Sequence, residues 1–488
     1  MAIPIKRLQT KLLINNQWVA ATSGKVFDVI NPATGEVCAA VEEGVAADVD
    51  LAVDAAKNAF KTFRQTDGRY RRDLMLKLAD LMEQHKEELA SIETLDNGKP
   101  YLQSLNVDVK SSIECFKYYA GWADKISGQV TPVSGNHFSF VRREPIGVCG
   151  QIIPWNFPLL MGAWKLAPAL ALGNTVVMKP AEQTPLSILR LGELFVEAGY
   201  PAGVVNIVPG FGATAGSRIA HHPDISKVAF TGSTDVGHAV MRASADSNLK
   251  KVSLELGGKS PLIVCQDADL DAAATAAANG IFFNMGQVCT AASRVFVHES
   301  VYDAFVDKVR ANAEKRTIGA GQSIHVDQGP LVSEKQMHRV LDFIEQGRKA
   351  GAVPVCGGER HGDKGFFVKP TVFANATDDM SIVREEIFGP VVSALKYKTL
   401  DEAIERANNT NFGLAAGVYS NDMNTILKAT SYLQAGSVWV NTWNVFDIAN
   451  PFGGYKRSGV GRELGEQALA LYTETKAVTI ALNGPLVK

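Results

Sequence analysis

Gly147-Val148-Cys149-Gly150-Gln151-Ile152-Ile153 is a short run of mostly small and apolar residues, and it opens a pattern that decides the fold. Five similar runs follow: Thr175 to Met178, Val204 to Val208, Lys227 to Phe230, Val252 to Leu254 and Pro261 to Val264. Each is short enough for a strand, and each leads into helix-like sequence. Such runs are the mark of parallel strands buried on both faces, so the fold class is α/β. A second set of alternating strands and helices, roughly 260 to 456, predicts another α/β unit. Upstream, the chain to Glu36 alternates strand and turn signals, with Asn31-Pro32-Ala33-Thr34-Gly35 as a turn. Two helices are expected next. Residues 48 to 62 place Leu51, Ala55, Ala59 and Phe60 on one face. Residues 70 to 95 carry Leu74, Leu78, Leu81, Leu89 and Ile92 and stop at Asn97-Gly98-Lys99-Pro100.

Composition narrows the function. The 488 residues are 46% hydrophobic, enough for two or three globular domains. Forty-nine basic residues nearly balance 51 acidic ones, which excludes the basic stripe that nucleic acid or an anionic membrane surface demands. Six scattered cysteines form no CxxC and no metal-ligand spacing, so no metal is expected and a reducing compartment is. The longest apolar region, Pro158 to Leu172, is broken by Lys165 and Pro168 and predicts no membrane span. The first 27 residues lack acids, as a transit peptide would, but Lys11 to Trp18 reads as a folded strand and turn. The cytoplasm is the expected location.

Several stretches carry chemistry. Cys289 follows Gly286-Gln287-Val288, where a glycine turn and small neighbours leave room for a ligand to reach the sulfur; inert packing is the alternative. Gly210-Phe211-Gly212-Ala213-Thr214-Ala215 forms a GxGxxA pattern between a strand and a helix, suited to a pyrophosphate, although no acid stands about 20 positions downstream. Lys179 and Glu182, three apart at a strand end, suit a ribose. Gly232-Ser233 begins a helix whose free amides suit a phosphate. Taken singly, each of these three reads first as an ordinary βα turn. Glu255 closes an apolar strand, where burial raises a carboxyl toward use as a base, unless it pairs with Lys259. Asn156, between aromatics and prolines in Pro154-Trp155-Asn156-Phe157-Pro158, is a neutral donor for a developing oxyanion or else a turn residue.

Five blocks in order resemble the signatures of the aldehyde dehydrogenase superfamily: Pro154 to Pro158, Leu254-Glu255-Leu256-Gly257-Gly258-Lys259, Gly286 to Cys289, Glu386-Ile387-Phe388-Gly389-Pro390, and Pro451-Phe452-Gly453-Gly454-Tyr455-Lys456-Arg457-Ser458-Gly459. The resemblance spans essentially the whole chain and is nearest to the NAD-dependent cytosolic and mitochondrial enzymes and their retinal and betaine aldehyde relatives. It implies a doubly wound NAD-binding domain (1–124 and 146–257), a catalytic α/β domain (258–457) and a bridging β segment (125–145 and 470–486) that joins copies into a homotetramer or homodimer. It also implies Cys289 as nucleophile, Glu255 as base for the deacylating water, Asn156 as oxyanion donor and Glu463 in proton transfer. For NAD it implies Lys179 and Glu182 on the adenosine ribose, and Ile153, Trp155, Gly232 and Ser233 on the adenine and pyrophosphate side. Gly212 plays a lesser part, and Gln336, Glu386 and Phe388 take the nicotinamide side. Phe157, Met161, Trp164, Phe283, Trp443, Phe446 and Phe452 match the tunnel for a small-molecule aldehyde. An acylating enzyme using coenzyme A and a non-catalytic relative are the competing readings.

Overall fold

The computed structural model describes residue 5 and residues 7–484. Positions 1–4 and 6 of the expected first domain, and 485–486 of the expected bridging segment, lie outside the described residues.

Five of the apolar runs form the parallel centre of one sheet. Its order is Lys251–Glu255, Lys227–Thr231, Val148–Ile152, Thr175–Lys179, Val205–Ile207. Numbered along the chain this is 5-4-1-2-3, the doubly wound arrangement, with its switch point between Val148–Ile152 and Lys227–Thr231. These strands are almost wholly buried, which is why their sequences run apolar instead of alternating. Leu12–Ile14 and Gln17–Val19 extend one edge antiparallel. Gly459–Val460 returns from far along the chain to pair with Leu254 and Glu255 at the other.

Pro261–Val264 starts a second sheet instead of extending the first. It pairs in parallel with Arg294–His298 and Ala415–Tyr419, in a seven-stranded order that also includes Thr371–Ala374 and Val391–Tyr397. A third, three-stranded sheet joins Gln129–Thr131 and His137–Pro145 to Thr473–Ala481, whose outer side pairs with no strand among the described residues.

Two local expectations are corrected. The helix at Ala46–Phe63 turns a different face inward: Val49, Ala52, Val53 and Ala56 are buried, while Leu51 is 52% exposed. The i, i+3, i+4, i+7 stripe of smaller residues lies close against Thr175–Lys179, where leucine-sized side chains would hold the helix off the sheet. The helix expected over 70 to 95 is two, Gly68–Gln84 and Lys86–Asn97, broken at His85. There the His85 ring meets Glu88 at 3.0 Å and Arg190 at 3.2 Å, side-chain bonds that favour the non-helical backbone.

Candidate active site

Both strands at the switch point end in loops that open on one cleft of about 2020 Å³, between the first and second sheets. From Val148–Ile152 the chain passes through Trp155 and Asn156 into the helix Pro158–Ala171, which carries Met161 and Trp164 on the cleft wall. From Lys227–Thr231 it passes through Gly232 and Ser233 into the helix Thr234–Asp246, capped by the Ser233 hydroxyl accepting from Val236 N at 3.4 Å. That thirteen-residue helix therefore points its free amides at the crevice.

Cys289 reaches the same cleft from the second sheet's side. Its loop is held by an unusual backbone: Asn284, Met285 and Gly286 all have positive φ (45°, 56° and 72°), and a side chain at Gly286 would run into the carbonyl of Gly389. Asn156 Nδ2 donates to Gln287 O at 2.9 Å, and Asn284 Nδ2 donates back to Asn156 O at 2.9 Å. The two loops are thus stitched together, and Asn156 and Cys289 face one space. Burial and the nearby Glu386 and Glu255 carboxyls push the Cys289 thiol up to about 12. At rest it is a protonated thiol, and a nucleophile only once a base or a positive charge is brought near.

Glu255, ending its strand, is buried, and its Oε2 has no hydrogen-bond partner. Burial, reinforced by the charge of Glu463 and opposed by Lys165 and Arg462, raises its carboxyl well above the ordinary range. The alternative pairing with Lys259 does not occur; Lys259 Nζ instead donates to Ile382 O at 2.8 Å. Glu463 lies behind the cleft wall, accepting from Lys165 Nζ at 2.7 Å, and Lys165 also donates to Thr231 Oγ1 at 2.6 Å. On the far side, Glu386 accepts from Gly258 N at 3.0 Å and is raised by burial to about 7. Gln336 Nε2 donates to Phe388 O at 2.8 Å, and Phe388 meets Trp155 edge-on at 5.2 Å. Trp164, Phe446 and Phe452 contact one another with centroids 5.2 to 6.3 Å apart, Phe157 stacks on Phe283, and Trp443 joins through Trp439.

Not every expected residue lines the cleft. Ile153 is buried beneath it. Lys179 is buried with its Nζ donating to Gly210 O at 2.7 Å, Pro180 O at 2.8 Å and Glu182 at 3.4 Å, so it fastens the GxGxxA loop. Gly212 is exposed at the start of the short helix Gly212–Gly216. Sequence reasoning missed Lys165, Asn284 and Gln287 as parts of the site. For Lys165 a signal existed: it is the sole charge in the apolar run Pro158 to Leu172, and a charge carried into a buried helix needs a partner. Among the described residues no group of three His, Cys, Asp or Glu could hold a metal ion, and no helix is long and apolar enough to cross a membrane.

A model of the aldehyde dehydrogenase family matches residues 18–478, which hold the parallel centre of the first sheet, the whole second sheet and all five sequence blocks. The chain belongs to the aldehyde dehydrogenase family. It is 60% identical to the mitochondrial aldehyde dehydrogenase of Leishmania tarentolae over 99% of this chain and 97% of that protein. It is 55% identical to human retinal dehydrogenase 2, over 97% and 92% of the two chains. The NAD+ complex of an aldehyde dehydrogenase from Bacillus cereus superposes with a TM-score of 0.96 at 53% identity, covering 97% of each chain. The chain is therefore an aldehyde dehydrogenase with the family's α/β architecture.

Proposed function

We propose that the chain oxidises an aldehyde to a carboxylate with NAD, through a covalent cysteine adduct. The observation that carries this is the convergence of Cys289, Asn156 and Glu255 on one cleft below the switch point of a doubly wound sheet. The Cys289 thiol passes its proton to solvent water in the open cleft and its sulfur attacks the carbonyl carbon; the C=O π pair moves onto oxygen, giving an oxyanion facing Asn156 Nδ2. When bound, NAD supplies the hydride acceptor. Loss of hydride leaves a thioester, and Glu255 takes a proton from the water that hydrolyses it, releasing the carboxylate and the thiol. Glu463 and Lys165 form the buried continuation of that proton path.

The cleft suits such a cofactor: a helix start faces the crevice at Gly232 and Ser233, and Gln336, Glu386 and Phe388 line the opposite wall. Glu182, 3.4 Å from Lys179 Nζ, is the residue that the family resemblance assigns to the adenosine ribose, and a carboxylate there favours NAD over a 2′-phosphorylated cofactor by charge repulsion. Domain limits of 1–124 with 146–257, 258–457, and 125–145 with 470–486 follow the three larger sheets except at Gly459–Val460, which joins the first sheet from outside all three limits, and the edge of Thr473–Ala481, unpaired among the described residues, favours a homotetramer or homodimer. We place the enzyme in the cytoplasm on its six free thiols; the relative named as mitochondrial supplies the competing location, which fractionation decides. Aromatic walls suit uncharged aliphatic or aromatic aldehydes. A quaternary ammonium aldehyde is the second reading, favoured by the Trp164, Phe446 and Phe452 cluster.

The test is NADH formation from an aldehyde panel. Cys289→Ala is expected to abolish turnover, and Glu255→Gln to leave a single-turnover burst followed by slow release. An unchanged rate in Cys289→Ala sinks the reading.

A further inference from the structure

We infer that Lys99 is a positioning residue for acylation, its buried ammonium fixing the Asn156–Phe157 turn so that the Asn156 amide is held toward the reacting carbonyl. The inference rests on the reading of Asn156 as the oxyanion donor.

Lys99 follows the end of helix Lys86–Asn97, and its side chain is fully buried. Nζ donates to Asn156 O at 2.9 Å and to Asp108 Oδ2 at 2.8 Å, and lies 3.9 Å from Glu93 Oε1. It also sits 4.2 Å from the centroid of the Phe157 ring. One ammonium therefore touches two consecutive residues of the cleft wall, a donor candidate and a substrate-facing aromatic. Glu93 continues the frame by accepting from Leu159 N, at the first turn of the helix that carries Met161 and Trp164.

Satisfying the Asn156 carbonyl does not require a charge. Asn284 Nδ2 donates to it at 2.9 Å and Asn97 Nδ2 at 3.3 Å, which already occupies both lone pairs of a carbonyl oxygen. A third, charged donor at a fully buried position is costly to desolvate, and what it adds is a strong, short tether to Asp108 on the opposite side. Nothing in the proposed chemistry reaches Lys99, so it acts through Asn156 and Phe157 and not on the substrate.

The experiment compares NADH formation with acetaldehyde in five enzymes: wild type, Lys99→Met, Lys99→Met/Asp108→Asn, Asn156→Ala and Lys99→Met/Asn156→Ala. Lys99→Met is expected to lower kcat roughly ten- to a hundred-fold, the scale of a small misplacement of a catalytic group, with KM for NAD unchanged. Replacing Asp108 as well removes the orphaned carboxylate and restores thermal stability, but kcat stays low. In the Asn156→Ala background, Lys99→Met should cost no further activity, because the group it positions is gone.

Recovery of kcat along with stability in Lys99→Met/Asp108→Asn would show a structural role only and overturn the inference. So would an equal loss in both Asn156 backgrounds. Should Lys99→Met fail to fold, Asp108→Asn alone carries the test: it frees the ammonium from its anchor, and wild-type kcat there overturns the inference. If Asn156→Ala itself turns over normally, the functional reading fails instead, and the two failures are distinct.

Discussion

Trp443 sits in a slot between two glycines, and filling that slot gives a sharp test of how the substrate wall is built. A Cβ added at Gly280, near the end of helix Leu270–Phe282, would lie 2.6 Å from Trp443 Cδ1 and 3.0 Å from Nε1. At the other end of the indole, a Cβ at Gly417 in strand Ala415–Tyr419 would lie 2.6 Å from Cζ3. Ordinary contact begins at 3.4 Å, so Gly280→Ala requires the ring to yield by about 0.8 Å. Strand Ala415–Tyr419 blocks retreat and Trp439 packs alongside at 5.2 Å, which leaves the cleft as the direction of movement. Stability changes little: alanine gains about 1 kcal/mol of helix propensity over glycine, against 1–3 kcal/mol typical of overpacking. The catalytic effect is larger and selective. An intruding wall of about one methyl group is worth roughly 1–3 kcal/mol of discrimination, or 10- to 200-fold. The assay is kcat/KM for benzaldehyde against acetaldehyde. The ratio should fall at least tenfold in Gly280→Ala, with acetaldehyde nearly unaffected. An unchanged ratio would refute the claim that Trp443 bounds the substrate space.

Lys165→Met removes the cation from beside Glu463, and breaking such a buried pair should destabilise the fold by about 3–5 kcal/mol, seen as a lower unfolding midpoint; Glu463→Gln in the same chain should recover much of it. Because burial and Glu463 raise the Glu255 carboxyl, turnover should decline as pH falls through that raised value, and Glu255→Gln should lose this acid limb of the kcat profile. Glu386 keeps its proton in the folded, cofactor-free chain up to about pH 7, whereas an ordinary glutamate loses it near 4.5. Its contribution to stability is therefore present below pH 4.5 and is lost as pH rises to about 7. Glu386→Gln should flatten that part of a denaturation-versus-pH curve. Glu386 also raises the Cys289 thiol, so the same substitution should speed alkylation of Cys289 at neutral pH, measured by peptide mass.

The parallel strands were legible because burial on both faces writes itself into every residue of a strand. That signal placed six strand cores within a residue or two, from Val148–Ile152 to Pro261–Val264. Helix Ala46–Phe63 was legible as a helix but not in its orientation: in an alanine-rich segment the sheet's shape, not side-chain size, decides which face turns in. The site divides in the same way. Cys289, Asn156 and Glu255 each follow a strand or a tight turn and could be found locally. The bonds from Asn156 to Gln287, from Lys165 to Glu463 and from Lys99 to Asn156 join residues 131, 298 and 57 positions apart, and only folding reveals them.

The bond from Asn156 to Gln287 has a consequence for how the amide itself is held. A side-chain amide carries two hydrogens on one arm and a bare oxygen on the other, and the arms are nearly equal in shape. Rotation by half a turn would bring the Asn156 oxygen against the Gln287 carbonyl, two acceptors face to face in a buried place. The Gln287 carbonyl thus enforces one handedness of the amide. One hydrogen is engaged by the protein, and the second stays available for an incoming oxygen. Aspartate at 156 has the same outline but no hydrogen to offer when ionised. Shape alone would admit it, and the Gln287 carbonyl would repel it.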